Sequence, residues 1–286
     1  MTPIWSGLAI GAVYALVAIG YNIVYVAYTT FNFAHAQLMM FGVFVTYWAT
    51  VVADLPIWLT FLACGAAVGL IALIEEFIAI RPVKGAHAHL VTTLGAATLL
   101  DGITRLIWGD QVLKVPPVIG SSSTITLLGG RISIVELVLI IAIIVITGLI
   151  TLYSRRSLTG LALLAMAEDR DAALLRGINV KRLALGAFVF AGVLAGITGP
   201  LVGPKTFAVA TLGSALALKG FVAVAIGGFG SMPGALIGGF VVGLVESLSG
   251  RWLGSDFPTI MVFVVLLLIL LLKPTGLFGS TRERVV

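Results

Sequence analysis

One charged island, from Tyr153 to Arg182, interrupts what is otherwise a succession of apolar, glycine-rich segments, and that alternation constrains the fold more than any motif. The apolar segments run at about 4–26, 37–53, 57–80, 90–108, 132–152, 183–203, 215–228, 234–249 and 257–272. A helix needs roughly 20 residues to cross the hydrocarbon core of a bilayer. The 215–228 segment is too short for that and is expected to be re-entrant or half-spanning. The fold class predicted is therefore an all-α integral membrane protein, a polytopic helix bundle of eight to nine passes with one broken helix. It is a single membrane domain over residues 1–286, with a charged loop at 153–182 and a tail at 273–286.

Composition excludes the soluble classes: 60% of residues are hydrophobic and 10% charged, with a mean hydropathy of +1.16. The 34 glycines let helices approach closely where no hydrophobic effect drives them together. The spacings Gly7/Gly11, Gly192/Gly196, Gly199/Gly203, Gly230/Gly234, Gly234/Gly238 and Gly239/Gly243 are such packing seams. Cys64 is the only cysteine, so there is no disulfide framework. His35, His87 and His89 lack further nearby ligands, and no metal site is expected. The net charge of +5 sits beside the spans and not in a soluble basic patch, so lipid and not nucleic acid is the expected surrounding.

Lysine and arginine set the orientation. Placing the island in the cytoplasm gathers Arg81, Lys84, the six basic residues from Arg155 to Arg182, Lys273, Arg282 and Arg284 on one side. Lys114, Arg131, Lys205 and Arg251 are left on the other. The N-terminus is then outside, the loop at 109–131 with Pro116, Pro117 and Ser121 to Thr124 is extracytoplasmic, and the tail is inside. The first apolar segment has neither a basic leader nor a small-residue cleavage site and is expected to be a retained span.

Within the island, Gly177 after Leu174-Leu175-Arg176 marks a helix C-terminus, and Asn179 caps the span that follows. A short helix near 168–176 is predicted, with Glu168, Asp169 and Asp171 in its first turn and Ala172, Ala173, Leu174 and Leu175 as an apolar surface. An ordinary solvated loop is the alternative.

Ionisable groups within a bilayer are expensive and are functional candidates. Asp101 and Arg105, four apart, either pair with each other or face a pathway. Lys219 precedes the glycine-rich stretch Gly227 to Gly234, a buried turn in which Gly227, Gly228 and Gly230 lie near a pathway; Lys219 either meets a substrate carboxylate or satisfies carbonyls of the broken helix. Glu246, Glu75 and Glu76 are read as snorkelling or helix-to-helix hydrogen bonding. Asn32 and His35 occupy a short polar break between the first two spans, either a half-helix terminus on the pathway or a simple tight turn.

The segment Gly160-Leu-Ala-Leu-Leu-Ala-Met-Ala-Glu-Asp-Arg-Asp-Ala-Ala-Leu-Leu-Arg-Gly-Ile-Asn179 resembles the cytoplasmic coupling loop of permease subunits in ATP-binding-cassette importers of the branched-chain amino-acid type. Further blocks agree in order: Gly7-Leu-Ala-Ile-Gly-Ala-Val-Tyr-Ala-Leu16, Asn32-Phe-Ala-His35, Arg81-Pro82, Lys219-Gly-Phe221, Gly227-Gly-Phe-Gly-Ser-Met-Pro-Gly-Ala235, Gly238-Gly239 with Glu246, and Lys273-Pro-Thr-Gly-Leu277. The resemblance implies a translocation subunit for branched-chain or related small amino acids in a bacterial-type inner membrane. It implies a second permease, more often a related chain than a second copy. Two cytosolic ATPases would grip Glu168, Asp169, Ala172, Ala173, Leu175, Gly177 and Asn179, and an extracytoplasmic binding protein would deliver substrate. Urea, short amides and other small carboxylates are carried by similar chains.

No GxxxxGKS/T phosphate loop occurs, and Gly228-Phe-Gly230-Ser-Met-Pro233 fails the GxGxxG pattern at its last position, so ATP is expected on the partners and no cofactor on this chain. The absence of GxSxG and HExxH argues against an enzyme. A secondary transporter or channel is the different-class reading, resting on Asp101, Arg105 and Lys219. Two departures stand out. Leu161 and Leu164 replace arginines common before the Ala-Met-Ala-Glu block, implying an altered ATPase surface. Ala36 and Gln37 replace a common glycine-glutamate, a less polar first motif that bears on substrate or gating.

Overall fold

The computed structural model describes residues 2–83, 85–118, 123–127 and 129–279. Lys84, Ser121, Arg282 and Arg284, counted above as loop or tail residues, lie outside them. Eleven α-helices occur among the described residues: α1 Thr2–Tyr28, α2 His35–Tyr47, α3 Ile57–Glu75, α4 Ala86–Trp108, α5 Ile134–Arg156, α6 Leu158–Glu168, α7 Arg170–Leu175, α8 Val180–Thr206, α9 Leu212–Gly227, α10 Met232–Trp252 and α11 Pro258–Leu272. α2 and α3 each run on into a π-helical turn, Trp48–Val52 and Glu76–Ile80. Seven helices are long and apolar enough to cross a membrane, α2 and α3 together with their π turns. The remaining two segments of the sequence count are α9 and α11, at 16 and 15 residues.

α1 lies at the centre, antiparallel to α10. A Cβ added to Gly239 would lie 2.5 Å from the Ala15 Cβ, and one added to Gly243 would lie 2.3 Å from the Gly7 carbonyl oxygen. α8 packs in the same manner, with Gly196 against the Cys64 carbonyl of α3 and Gly199 against Gly42 of α2. The small-residue seams are thus used inside the chain, where close backbone approach replaces the missing hydrophobic drive. Gly230 departs from the series, since its nearest neighbour is Val26 at 4.0 Å.

One end of the bundle carries a β-hairpin that the all-helical expectation did not include. Strands β1 Thr124–Leu127 and β2 Gly130–Ser133 pair antiparallel, with Thr124 opposite Ser133 and Leu127 opposite Gly130. Trp5 Nε1 donates to the Leu127 carbonyl at 3.2 Å, and the Arg131 amide donates to Thr2 Oγ1 at 3.2 Å, so the start of α1 is tied to this end.

The island occupies the opposite end. Ser157 Oγ accepts from the Gly160 amide at 2.9 Å and starts α6. Asp169, in extended backbone, accepts from the Asp171 and Ala172 amides, both at 2.9 Å, and starts α7. Gly177 at φ +81° and Ile178 close α7, donating to the Leu174 and Ala173 carbonyls at 3.0 and 3.1 Å, the paired bonds of a Schellman cap. Asn179 Oδ1 then accepts from the Arg182 amide at 3.1 Å and starts α8.

Two expectations need correction here. Glu168 ends α6 and is not in the first turn of α7, because Asp169 breaks the helix when it becomes the cap. Ala173 is buried inward, so it is not part of the apolar surface, which Ala172, Leu174 and Leu175 leave exposed. Leu158, Leu161 and Leu164 of α6 add to that exposed apolar surface.

Candidate functional site

Lys219 lies on α9, and its partners come from two other helices. Its Nζ bonds Glu246 Oε1 of α10 and donates to the Tyr14 hydroxyl of α1 at 3.2 Å; Tyr14 in turn donates to Glu246 Oε2 at 2.6 Å. The ammonium also sits 5.4 Å from the Tyr14 ring centroid. Lys219 and Glu246 side chains are each 22% exposed. The group is a neutral three-helix tie at membrane depth, and Glu246 makes the helix-to-helix bond expected of it.

The buried turn after α9 is satisfied from both sides. Gly228 adopts φ +105° and Gly230 φ +81°. Asn22 of α1 donates to the Ser231 carbonyl and accepts from the Gly230 amide, both at 2.9 Å. The Leu277 and Phe278 amides reach back to the Ile226 and Gly227 carbonyls at 2.8 and 2.9 Å. The carbonyls at Ile226, Gly227 and Ser231 are therefore occupied within the chain. Nor does Lys219 serve them, since Glu246 and Tyr14 hold it.

Aromatic rings surround this turn. Phe31 stacks on Tyr25 at 5.0 Å between centroids and meets Phe229 at 5.1 Å and Phe221 at 5.4 Å; Phe33 meets Phe221 at 5.8 Å. All five rings are half-buried. They join the break after α1 to α9 and to the turn that follows it, an apolar cluster that alternation of spans and loops did not single out.

The polar residues of the first break part company. Asn32 Oδ1 accepts from the Ala34 amide at 2.9 Å, which makes the tight turn, while its Nδ2 has no hydrogen-bond partner and lies beside Glu75. His35 is buried against Gly20, where a Cβ would lie 1.7 Å from its Nε2. Gln37 packs on Gly213 at the start of α9 and lies beside Asp101. Tyr28 donates to Glu76 Oε1 at 2.9 Å, joining α1 to the π turn that ends α3. The island packs on α1 through α6.

Asp101 and Arg105 do not pair. Asp101 accepts from Ser214 Oγ of α9 at 3.1 Å, whereas Arg105, one turn on and exposed, meets Asp110 at 3.6 Å. Gly109 at φ +75° turns the chain back and brings Asp110 within reach. A further link was not foreseen. Glu136 of α5 accepts from the Ser133 amide at 3.1 Å and also bonds Lys205 of α8.

A family model described as the branched-chain amino acid transport system permease component matches residues 4–272. The chain belongs to this family. It is 31% identical over 305 residues to the high-affinity branched-chain amino acid transport system permease protein LivH of Escherichia coli, covering 98% of this chain and 95% of that protein. The corresponding BraD of Pseudomonas aeruginosa is 31% identical over 292 residues, covering 96% and 94%. Among solved structures, a chain of PsaBC from Streptococcus pneumoniae, in complex with Fab, superposes with a TM-score of 0.51 at 13% identity, covering 96% of this chain and 92% of that one. That likeness supports the fold alone. The chain is a multi-pass membrane permease with the role of a translocation subunit.

Proposed function

We propose that the chain forms half of the path of an ATP-driven importer for branched-chain amino acids, as a single permease domain. The observation that carries this reading is the capped helical island, whose exposed leucines on α6 and α7 present a rigid apolar face beyond one end of the bundle. Of the two cytosolic ATPases one binds that face, with Glu168, Asp169, Ala172, Leu175, Gly177 and Asn179 at or beside the contact. ATP is bound by those partners and no cofactor by this chain. The island end faces the cytoplasm of a bacterial inner membrane, and the hairpin end faces the binding protein. Leu161 and Leu164 make the contact more apolar than an arginine-bearing loop, which calls for a matched apolar groove on the ATPase.

Motion of the island is carried inward through α6, which packs on α1, so a shift of the island acts on the central helix. The half-buried aromatic cluster suits an apolar side chain better than urea or an amide, which favours leucine, isoleucine and valine. A second, related permease completes the path. Charges at Lys219 and Glu246 neutralise each other, which weakens the secondary-transporter reading.

Affinity purification from the native membrane in mild detergent tests this. Two ATPase chains and a second permease should be recovered, with ATPase activity stimulated by leucine-loaded binding protein and not by urea. Recovery of the chain alone, transporting without ATP, would overturn it.

A further inference from the structure

A lateral groove of about 500 Å³ opens between α5 and the first turns of α10, at the end of the bundle that carries the island. Ile144, Gly148, Leu152 and Leu236 line its apolar length, and Arg155 and Arg156 close its island end. Ile144 and Leu152 are about half exposed, so the groove opens sideways, toward hydrocarbon.

Three features separate it from ordinary lipid-facing surface. Arg155 and Arg156 have no carboxylate within 4.0 Å among the described residues, although every other element of the site is apolar or a hydroxyl. Thr147 donates to the Ile143 carbonyl at 2.7 Å, as a threonine in an apolar helix ordinarily does, but Thr151, one turn further on the same face, leaves Oγ1 without a partner. Thr151 lines the groove, and a 120° rotation about χ1 carries its hydroxyl to another staggered position. Finally, a Cβ at Gly148 would meet nothing within 4 Å, so the glycine is not required by packing inside the chain and leaves the floor of the groove open.

We propose that this groove binds an anionic phospholipid. The phosphate is held by the Arg155 and Arg156 guanidinium groups and the Thr151 hydroxyl, and an acyl chain lies along Gly148 and Leu236. The planar guanidinium matches phosphate oxygens in a paired geometry, and basic pockets between membrane helices are the usual sites of acidic headgroups. The C-terminal partial charge of α5 repels a phosphate by about half a unit charge, which two full positive charges outweigh. The lipid belongs to the island-side leaflet; that this is the cytoplasmic leaflet rests on the orientation proposed above.

The test uses the assembled transporter in nanodiscs of phosphatidylcholine with graded phosphatidylglycerol, scored by native mass spectrometry for lipids retained. Wild type should retain phosphatidylglycerol over phosphatidylcholine, and the R155Q/R156Q double variant should weaken that preference about thirtyfold. Gly148→Leu, which fills the floor without an internal clash, should lose retention while keeping thermal stability. Inorganic phosphate should not compete, which separates a lipid from a free anion. Equal retention in wild type and both variants would overturn the proposal. So would crosslinking of Gly148→Cys to the second permease, since the groove would then be a protein interface. Labelling of Gly177→Cys by an impermeant maleimide reports the orientation separately, so a wrong leaflet is distinguishable from a wrong ligand.

Discussion

Replacing Lys219 with methionine removes the cation from a tie that joins three helices, and its cost can be worked from the geometry. Breaking a fully buried ion pair by removing one partner costs roughly 3–5 kcal/mol, because the other charge is left desolvated. Here both side chains are 22% exposed and Tyr14 still donates to Glu246, so the expected loss is about 2 kcal/mol. Glu246→Met should cost a similar amount by stranding the lysine. The double variant K219M/E246M leaves no charge at that depth and strands only the Tyr14 hydroxyl, at about 1 kcal/mol. The coupling between the two sites is then about 3 kcal/mol. Scanning fluorimetry in detergent should show each single variant lowered by roughly 4–8 °C and the double variant lowered by less than either. Uptake should return with stability in the double variant if the tie is structural. Additive losses, with the double variant worse than both singles, would refute the tie. Restored stability with uptake still absent would give Lys219 a direct role on the solute.

Gly239→Ala places a methyl 2.5 Å from the Ala15 Cβ and should destabilise by about 1–3 kcal/mol, whereas Gly95→Ala, inside α4, meets nothing within 4 Å and should be neutral or stabilising by up to about 1 kcal/mol; thermal unfolding of the pair checks the seam. Gly177→Val forces a β-branched residue to φ +81° at a strain of roughly 1–3 kcal/mol, and should abolish substrate-stimulated ATPase activity while leaving membrane insertion intact. Asn22→Ala strands the Gly230 amide and the Ser231 carbonyl, a loss of about 2–4 kcal/mol, visible as faster hydrogen exchange at the turn after α9.

Local signals were legible in the amino-acid order, and distant pairings were not. Gly177 and Asn179 announce their caps because a cap needs only the next few residues. The short 215–228 segment and the glycine-rich stretch after it likewise point to α9 and its buried turn. Glu168 was misplaced by one helix because Asp169 and Asp171 both suit a first turn, and only the backbone decides which is the cap. Glu136 was missed and Glu246 left without a partner, because their links to Lys205 and Lys219 depend on which helices become neighbours, 69 and 27 residues apart. Asn22 carried a signal, a lone carboxamide in an apolar span, but its partners lie more than 200 residues away. The hairpin at 124–133 was hidden by its brevity. Asp101 and Arg105 satisfied the helical spacing rule, yet their side chains found better partners on either side.

The central claim, a translocation subunit driven from its island, is tested most directly in proteoliposomes holding the assembled complex, with loaded binding protein outside and ATP inside. Labelled leucine should accumulate against its gradient only when ATP is present on the island side, and the Gly177→Val complex should not accumulate it. Accumulation by the lone chain without ATP, or by the Gly177→Val complex at the wild-type rate, would contradict the account.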